Sequence, residues 1–171
     1  MHTFQPYPIE TLDFNPFTFI GTQGFAATAE ADGKINTTTV TWGGMGIMFN
    51  KNVAFICIQD SKFTKELIDK SNTFSMTFFD PDKKQFKNAM KYLKAATGRT
   101  EDKIAAAGLS VNRSLKVPFI DEGNFVLILE KLAAIPLTTE YITKKWLCDE
   151  FYPDNGTDTI YIADILEILA R

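Results

Sequence analysis

The sequence predicts an α+β fold built on a mainly antiparallel β-sheet, with helices packed outside it. Three observations carry this. Runs of β-branched and aromatic residues recur at strand length, an Asp-Gly pair joins two of them, and short amphipathic helical stretches interrupt the series. At 171 residues the chain fits one domain, residues 1–171, in which residues 1–13 read as an extended arm.

In chain order, Phe25 to Glu30 and Ile35 to Trp42 are strands, with Asp32-Gly33 as the hairpin turn between them. Val53 to Ile58, "VAFICI", is a continuous apolar strand. "QDSKFTKELIDKSN" follows as a short helix that turns Phe63, Leu67 and Ile68 inward, with Ser61 as its N-cap. Thr73 to Phe79 alternates, setting Phe74, Met76 and Phe78 on one face. Gln85 to Ala95 is a helix with Phe86, Ala89, Met90 and Leu93 on its inner stripe and lysines outside, and Glu101 to Ala107 is a second, shorter one. Phe125 to Leu132 is a buried strand, and Glu140 to Leu147 reads as helical. Thr159 to Leu169 fits both periods, and strand is preferred. About six strands with external helices are enough to close into a barrel.

Composition narrows the function. The net charge of −3 provides no positive field for a phosphate backbone, so a nucleic-acid partner is not expected. No window of about 18 apolar residues and no secretory leader pattern occurs, which points away from a membrane. Two distant cysteines, Cys57 and Cys148, suit a reducing compartment, and a cytoplasmic location is expected. The lysine face of Lys83, Lys84, Lys87, Lys91 and Lys94 reads first as a solvated surface; a membrane surface or a dinucleotide phosphate are its other uses.

The single histidine, His2, lies in a terminal segment of a kind that is usually mobile. That removes histidine-based triads and zinc sites, so no catalytic side chain and no metal ligand is assigned. Any redox chemistry belongs to a cofactor.

Two places suit one. "GGMGIMF" misses the dinucleotide fingerprint at Phe49 and lacks the following helix, so it is no Rossmann loop. Where "VAFICI" runs into "QDSKFT", by contrast, the hydroxyls of Ser61 and Thr64 and the ammonium of Lys62 converge on a helix start, a place for an anion. The bland alternative is a plain cap by Ser61. Upstream, "NTTTVTWGGMG" reads as a strand end left bare by its glycines. Either its threonines merely satisfy each other across strands, or its backbone and Trp42 receive a flat polar heterocycle such as flavin.

"NTTTVTWGGMG", "SKFTKELIDKSNTFSMTFF", "ATGRTEDKIAAAGL" and "FYPDNGTDTIYIADILEIL", in this order, together resemble the flavin reductase-like family of FMN-binding split β-barrels, in particular its flavoredoxin-like branch. The resemblance runs from about Phe14 to Leu169. It implies a split β-barrel with peripheral helices, a homodimer, and non-covalent FMN. Asn36, Thr39, Val40, Thr41 and Trp42 would then lie along the ring and ribityl chain, Ser61, Lys62, Phe63 and Thr64 would receive the phosphate, and Arg99 would complete the contacts.

The implied activity is an NAD(P)H-dependent flavin reductase with NADH or NADPH as donor; the alternative is a flavoredoxin-type electron carrier with a redox protein partner. A third reading is a split-barrel interaction protein without flavin. Departures from the family pattern are Asp158 where a histidine is frequent, Ala163-Asp164 for Gly-Glu, Phe63 for tyrosine and Gln59 for a basic residue. An aspartate at 158 opposes the phosphates of a nicotinamide donor and an anionic reduced ring.

Overall fold

The computed structural model describes residues 1–171. Ten strands and four helices are present: β1 (Gln5–Pro6), β2 (Phe25–Ala31), β3 (Lys34–Val40), β4 (Gly43–Met48), β5 (Lys51–Gln59), α1 (Phe63–Lys70), β6 (Thr73–Phe78), α2 (Lys84–Ala95), α3 (Lys103–Ala106), β7 (Val111–Ser114), β8 (Val117–Ile120), β9 (Phe125–Leu137), α4 (Lys145–Phe151) and β10 (Asp158–Ala170). All pairings are antiparallel. The main sheet runs β3-β2-β6-β9-β10-β5-β4, with β1 beside β10, and β7-β8 form a separate hairpin.

The sheet is not closed by hydrogen bonds. Its edges are β3 and β4, which follow each other in the chain through Thr41 and Trp42. β9 and β10, 13 residues each, form its spine, and register shifts at Ile162/Ala163 and Ile165/Glu167 bend them. The inward side chains of this curved sheet make the principal core, among them Phe25, Ile56, Phe74, Met76, Phe78, Leu127 and Tyr161. A second core lies under α2, where Phe86, Ala89, Met90 and Leu93 meet Ile104 and Ile120, leaving the lysines outside as the periodicity requires.

Asp32 and Gly33 take left-handed φ of 52° and 72°, the geometry of a tight primed hairpin turn. Four expectations need correction. The glycines after Trp42 are not a bare strand end: Gly43 and Gly44 open β4, paired with Ile56 and Phe55. They are glycines because a Cβ at Gly43 would fall on the Phe55 carbonyl, and one at Gly44 would meet the Phe55 ring. The α1 N-cap is Lys62 with no side-chain cap, and Ser61 is exposed. The helix placed at Glu140 to Leu147 is instead a 3-10 turn at Thr139–Tyr141 followed by α4. The strand placed at Phe125 to Leu132 extends to Leu137.

The amino terminus is tied down. Phe4 packs edge-on against Phe119 at 5.1 Å. The His2 backbone N–H donates to Asp121 Oδ1 at 2.9 Å, and its ring Nδ1 lies 2.8 Å from Asp121 Oδ2. No helix is long and apolar enough to cross a membrane.

Candidate functional site

Where the curled sheet fails to close, edge strand β3 approaches the end of β5, and a cleft opens between them. Its larger lobe, about 300 Å³, is lined by five consecutive residues, Thr38 to Trp42, and by Cys57, Ile58 and Gln59 of β5. Side chains on a strand alternate between faces, so a run of five marks the edge itself, backbone included, as the lining surface. Phe151, Asp158, Lys62 and Lys94 complete the lining of this lobe. Trp42, 41% exposed, stands at the mouth with Phe151 edge-on at 5.2 Å.

A smaller lobe of about 150 Å³ shares Thr38 and Lys62 with the first. It is lined by Asn36, Ser61, Phe63, Thr64, Lys103 and the Ala95–Gly98 turn. Asn36 Nδ2 donates to Thr64 Oγ1 at 2.8 Å, which fixes both side chains and leaves the threonine proton free to donate elsewhere. Gly98 is required here, since a Cβ would collide with the Asn36 amide. Lys62 Nζ donates to the Lys94 carbonyl at 3.1 Å.

Lys103 is a feature the sequence reading did not single out. It is 3% exposed, and its ammonium donates to the Leu93 and Ala96 carbonyls at 2.9 and 3.1 Å, closing the end of α2. Burial, aided by the Lys62 charge, pulls it down to about 8. The only signal in sequence is its place after Asp102, whose carboxylate accepts from the Ile104 and Ala105 N–H groups and so starts α3.

The structure thus brings Asn36, Thr39, Val40, Thr41, Trp42, Ser61, Lys62, Phe63 and Thr64 to the two lobes. Thr39 spends its hydroxyl on the Met90 carbonyl at 2.6 Å, which leaves its backbone to the cleft. Arg99 lines neither lobe. Its guanidinium bonds Glu66, with Nη1 to Oε2 at 2.9 Å, and lies 5.3 Å above the Phe63 ring. Thr37, by contrast, is structural: its hydroxyl accepts from Thr28 at 2.9 Å and donates to the Ala27 carbonyl at 3.0 Å, the cross-strand satisfaction that a threonine strand allows.

Two buried side-chain oxygens find no partner anywhere in the structure, Thr38 Oγ1 and Asp158 Oδ1. Both residues line the cleft, at 1% and 2% exposure. Leaving a buried polar group unpaired costs about 1–3 kcal/mol, so two such groups in one cleft mark a place built for a ligand's polar atoms. The other Asp158 oxygen accepts from the Tyr152 hydroxyl at 2.7 Å and from Cys57 Sγ at 3.5 Å. Burial and then this carboxylate push the Cys57 thiol up to about 12 and the Tyr152 phenol well above its ordinary value, so both stay protonated donors.

Compared by sequence, the chain matches no protein-family model and no curated protein. Compared by structure, it is similar to an FMN-binding domain of a flavin reductases-like enzyme from Shewanella baltica, with a TM-score of 0.69 at 10% identity over 98% of this chain and 77% of that one. It is similar also to the flavoredoxin of Methanosarcina acetivorans, with a TM-score of 0.66 at 18% identity over 87% and 68% of the two chains. An FMN-binding protein from Thermus thermophilus with bound p-hydroxybenzaldehyde gives 0.65 at 16% identity over 98% and 82%. The antiparallel fold of this chain is the one these FMN-binding proteins share.

Proposed function

We propose that the chain is an FMN-binding redox protein, with the ring in the larger lobe and the phosphate in the smaller. The observation that carries this reading is the pair of unpartnered buried oxygens, Thr38 Oγ1 at the junction of the lobes and Asp158 Oδ1 at the ring end. The lobes suit the two ends of that molecule. One offers a strand edge, Trp42 and Phe151 to a flat heterocycle; the other offers hydroxyls and two ammonium groups, Lys62 and Lys103, to a dianion. The FMN-binding structures of the same fold support it.

Bound there, FMN supplies the hydride and electron chemistry that no side chain of the cleft can. The protein's own part is to bind and orient. Asn36 holds the Thr64 hydroxyl in place, Lys62 neutralises the phosphate, the β3 edge offers backbone donors and acceptors, and Trp42 shields the ring from water.

An NAD(P)H-dependent flavin reductase and a flavoredoxin-type carrier fed by a redox protein both use such a site. The buried carboxylate of Asp158 favours the carrier, because it opposes the phosphates of a nicotinamide donor.

A homodimer belongs to the same reading. The uncovered edge strand β4 and its turn present Ile47, 73% exposed, Met48 and Phe49, with Phe49 held at a left-handed φ of 55°. A second copy covering this strand would bury that apolar surface. The test of function is to saturate the purified protein with FMN and add NADH, NADPH or dithionite in turn. Bound flavin bleached by dithionite alone supports the carrier, rapid bleaching by a nicotinamide donor supports the reductase, and absence of bound FMN overturns both.

A further inference from the structure

At the ring end of the cleft a single charge is held by a constructed set of neighbours. Asp158 opens β10, opposite Gln59 of β5 and Leu137 of β9. Its position is fixed by Asp60, which accepts from the Thr157 and Thr159 hydroxyls on either side at 2.6 Å each, while the Asp60 N–H donates to the Thr157 carbonyl at 3.0 Å. Tyr152 and Cys57, both neutral, serve one carboxylate oxygen and leave the other free. No lysine or arginine forms a salt bridge with it, although Lys62 and Lys94 line the same lobe.

A carboxylate meant only to secure β10 would use both oxygens on the protein. This one uses one, and leaves the other buried and unpartnered in a residue that lines the cleft. The cleft therefore carries charge of both signs: Lys62 and Lys103 line the smaller lobe, and Asp158 lines only the larger.

We propose that Asp158 is the specificity-determining group of the cleft: its free Oδ1 takes an N–H of the ring edge, and its charge makes the site favour the neutral oxidised ring over the reduced, anionic one. This rests on the FMN reading above. Two electrons, supplied for instance by dithionite as it is oxidised to sulfite, and one proton from water convert the neutral ring into one carrying a negative charge. A fixed carboxylate beside it in a half-buried cleft then weakens binding of the reduced form and lowers the midpoint potential of bound FMN below that of free FMN. The Tyr152 hydroxyl and the Cys57 thiol moderate the effect by spreading the carboxylate charge over two hydrogen bonds.

The experiment measures the affinity of the full-length protein for FMN, oxidised and dithionite-reduced, in wild type, Asp158→Asn and Tyr152→Phe. Wild type is expected to bind oxidised FMN the more tightly. Asp158→Asn, which removes the charge, should shift the ratio of affinities about tenfold toward the reduced form. Tyr152→Phe, which leaves the charge and strips one donor from it, should shift the ratio the other way. A merely structural role would weaken both forms alike in both variants, and a ratio unchanged from wild type would overturn the assignment while leaving FMN binding intact. Failure of the wild type to bind FMN in either state would overturn the functional reading, and this inference with it.

Discussion

Thr38 and Asp158 each bury an oxygen that the protein itself does not use. A protein without a ligand loses stability by such an arrangement, and that gives a test with opposite signs. Thr38→Val keeps the shape and removes the orphan, so the ligand-free protein should gain about 1 kcal/mol in urea unfolding while its FMN affinity falls about tenfold. Lys103 adds a pH test. The unfolded chain holds its proton to near 10.5, the folded protein only to about 8, so between these the unfolded state binds more protons and stability should rise with pH. Lys103→Met should flatten that rise in unfolding experiments across the window. A phosphate beside the ammonium favours the charged form, so FMN affinity should decline as pH passes about 8, whereas riboflavin, lacking the phosphate, should show no such decline. That Thr39, Thr41, Trp42, Ser61, Lys62 and Thr64 gather around one cleft was legible in the sequence because hydroxyls, an indole and a lysine cluster at element ends. Lys103 was not, because a lysine inside a helical stretch looks like any solvated lysine until the end of α2 is seen to close over it.

Among the elements, those with local chemistry were readable. The β2-β3 hairpin followed from Asp32-Gly33, α2 from its apolar stripe, and β10 from β-branched density that outweighed a competing helical period. β4 was not, since glycine has poor strand propensity and its extended form comes from pairing with β5. The β7-β8 hairpin turns on Leu115 and Lys116, at left-handed φ of 48° and 66°, residues that carry no turn signature. α4 has no buried residue of its own and is placed by Phe151 against Trp42, a contact made far along the chain, and by Tyr152, which follows it, on Asp158. The close packing of β4 on Phe55 predicts that Gly43→Ala, with its new methyl against the Phe55 carbonyl, destabilises by about 2 kcal/mol, readable as a lowered midpoint of thermal unfolding. Because β4 follows directly on Trp42, the same variant should also weaken FMN binding.

The whole molecule is a sheet curled until its β3 edge faces β5, and the failure to close is what makes the cleft. A sequence specifies strands more readily than their order, so the expected barrel was legible as an antiparallel α+β fold but its open seam was not. The other edge, β4, carries the exposed Ile47, Met48 and Phe49. If two copies meet there, Ile47→Asp with Phe49→Asp should convert a dimer to a monomer in sedimentation at micromolar concentration; a wild-type monomer would contradict that arrangement. Whether the two joined lobes hold a flavin by its ring and its phosphate is answered by titrating the purified, flavin-free protein, carrying Trp146→Phe so that Trp42 is the sole tryptophan, with FMN and with riboflavin while following its fluorescence. Saturable quenching at one FMN per chain, with riboflavin binding at least about a hundredfold more weakly for want of the phosphate contacts, is the predicted result. Equal affinity for the two flavins, or no quenching by either, would contradict it.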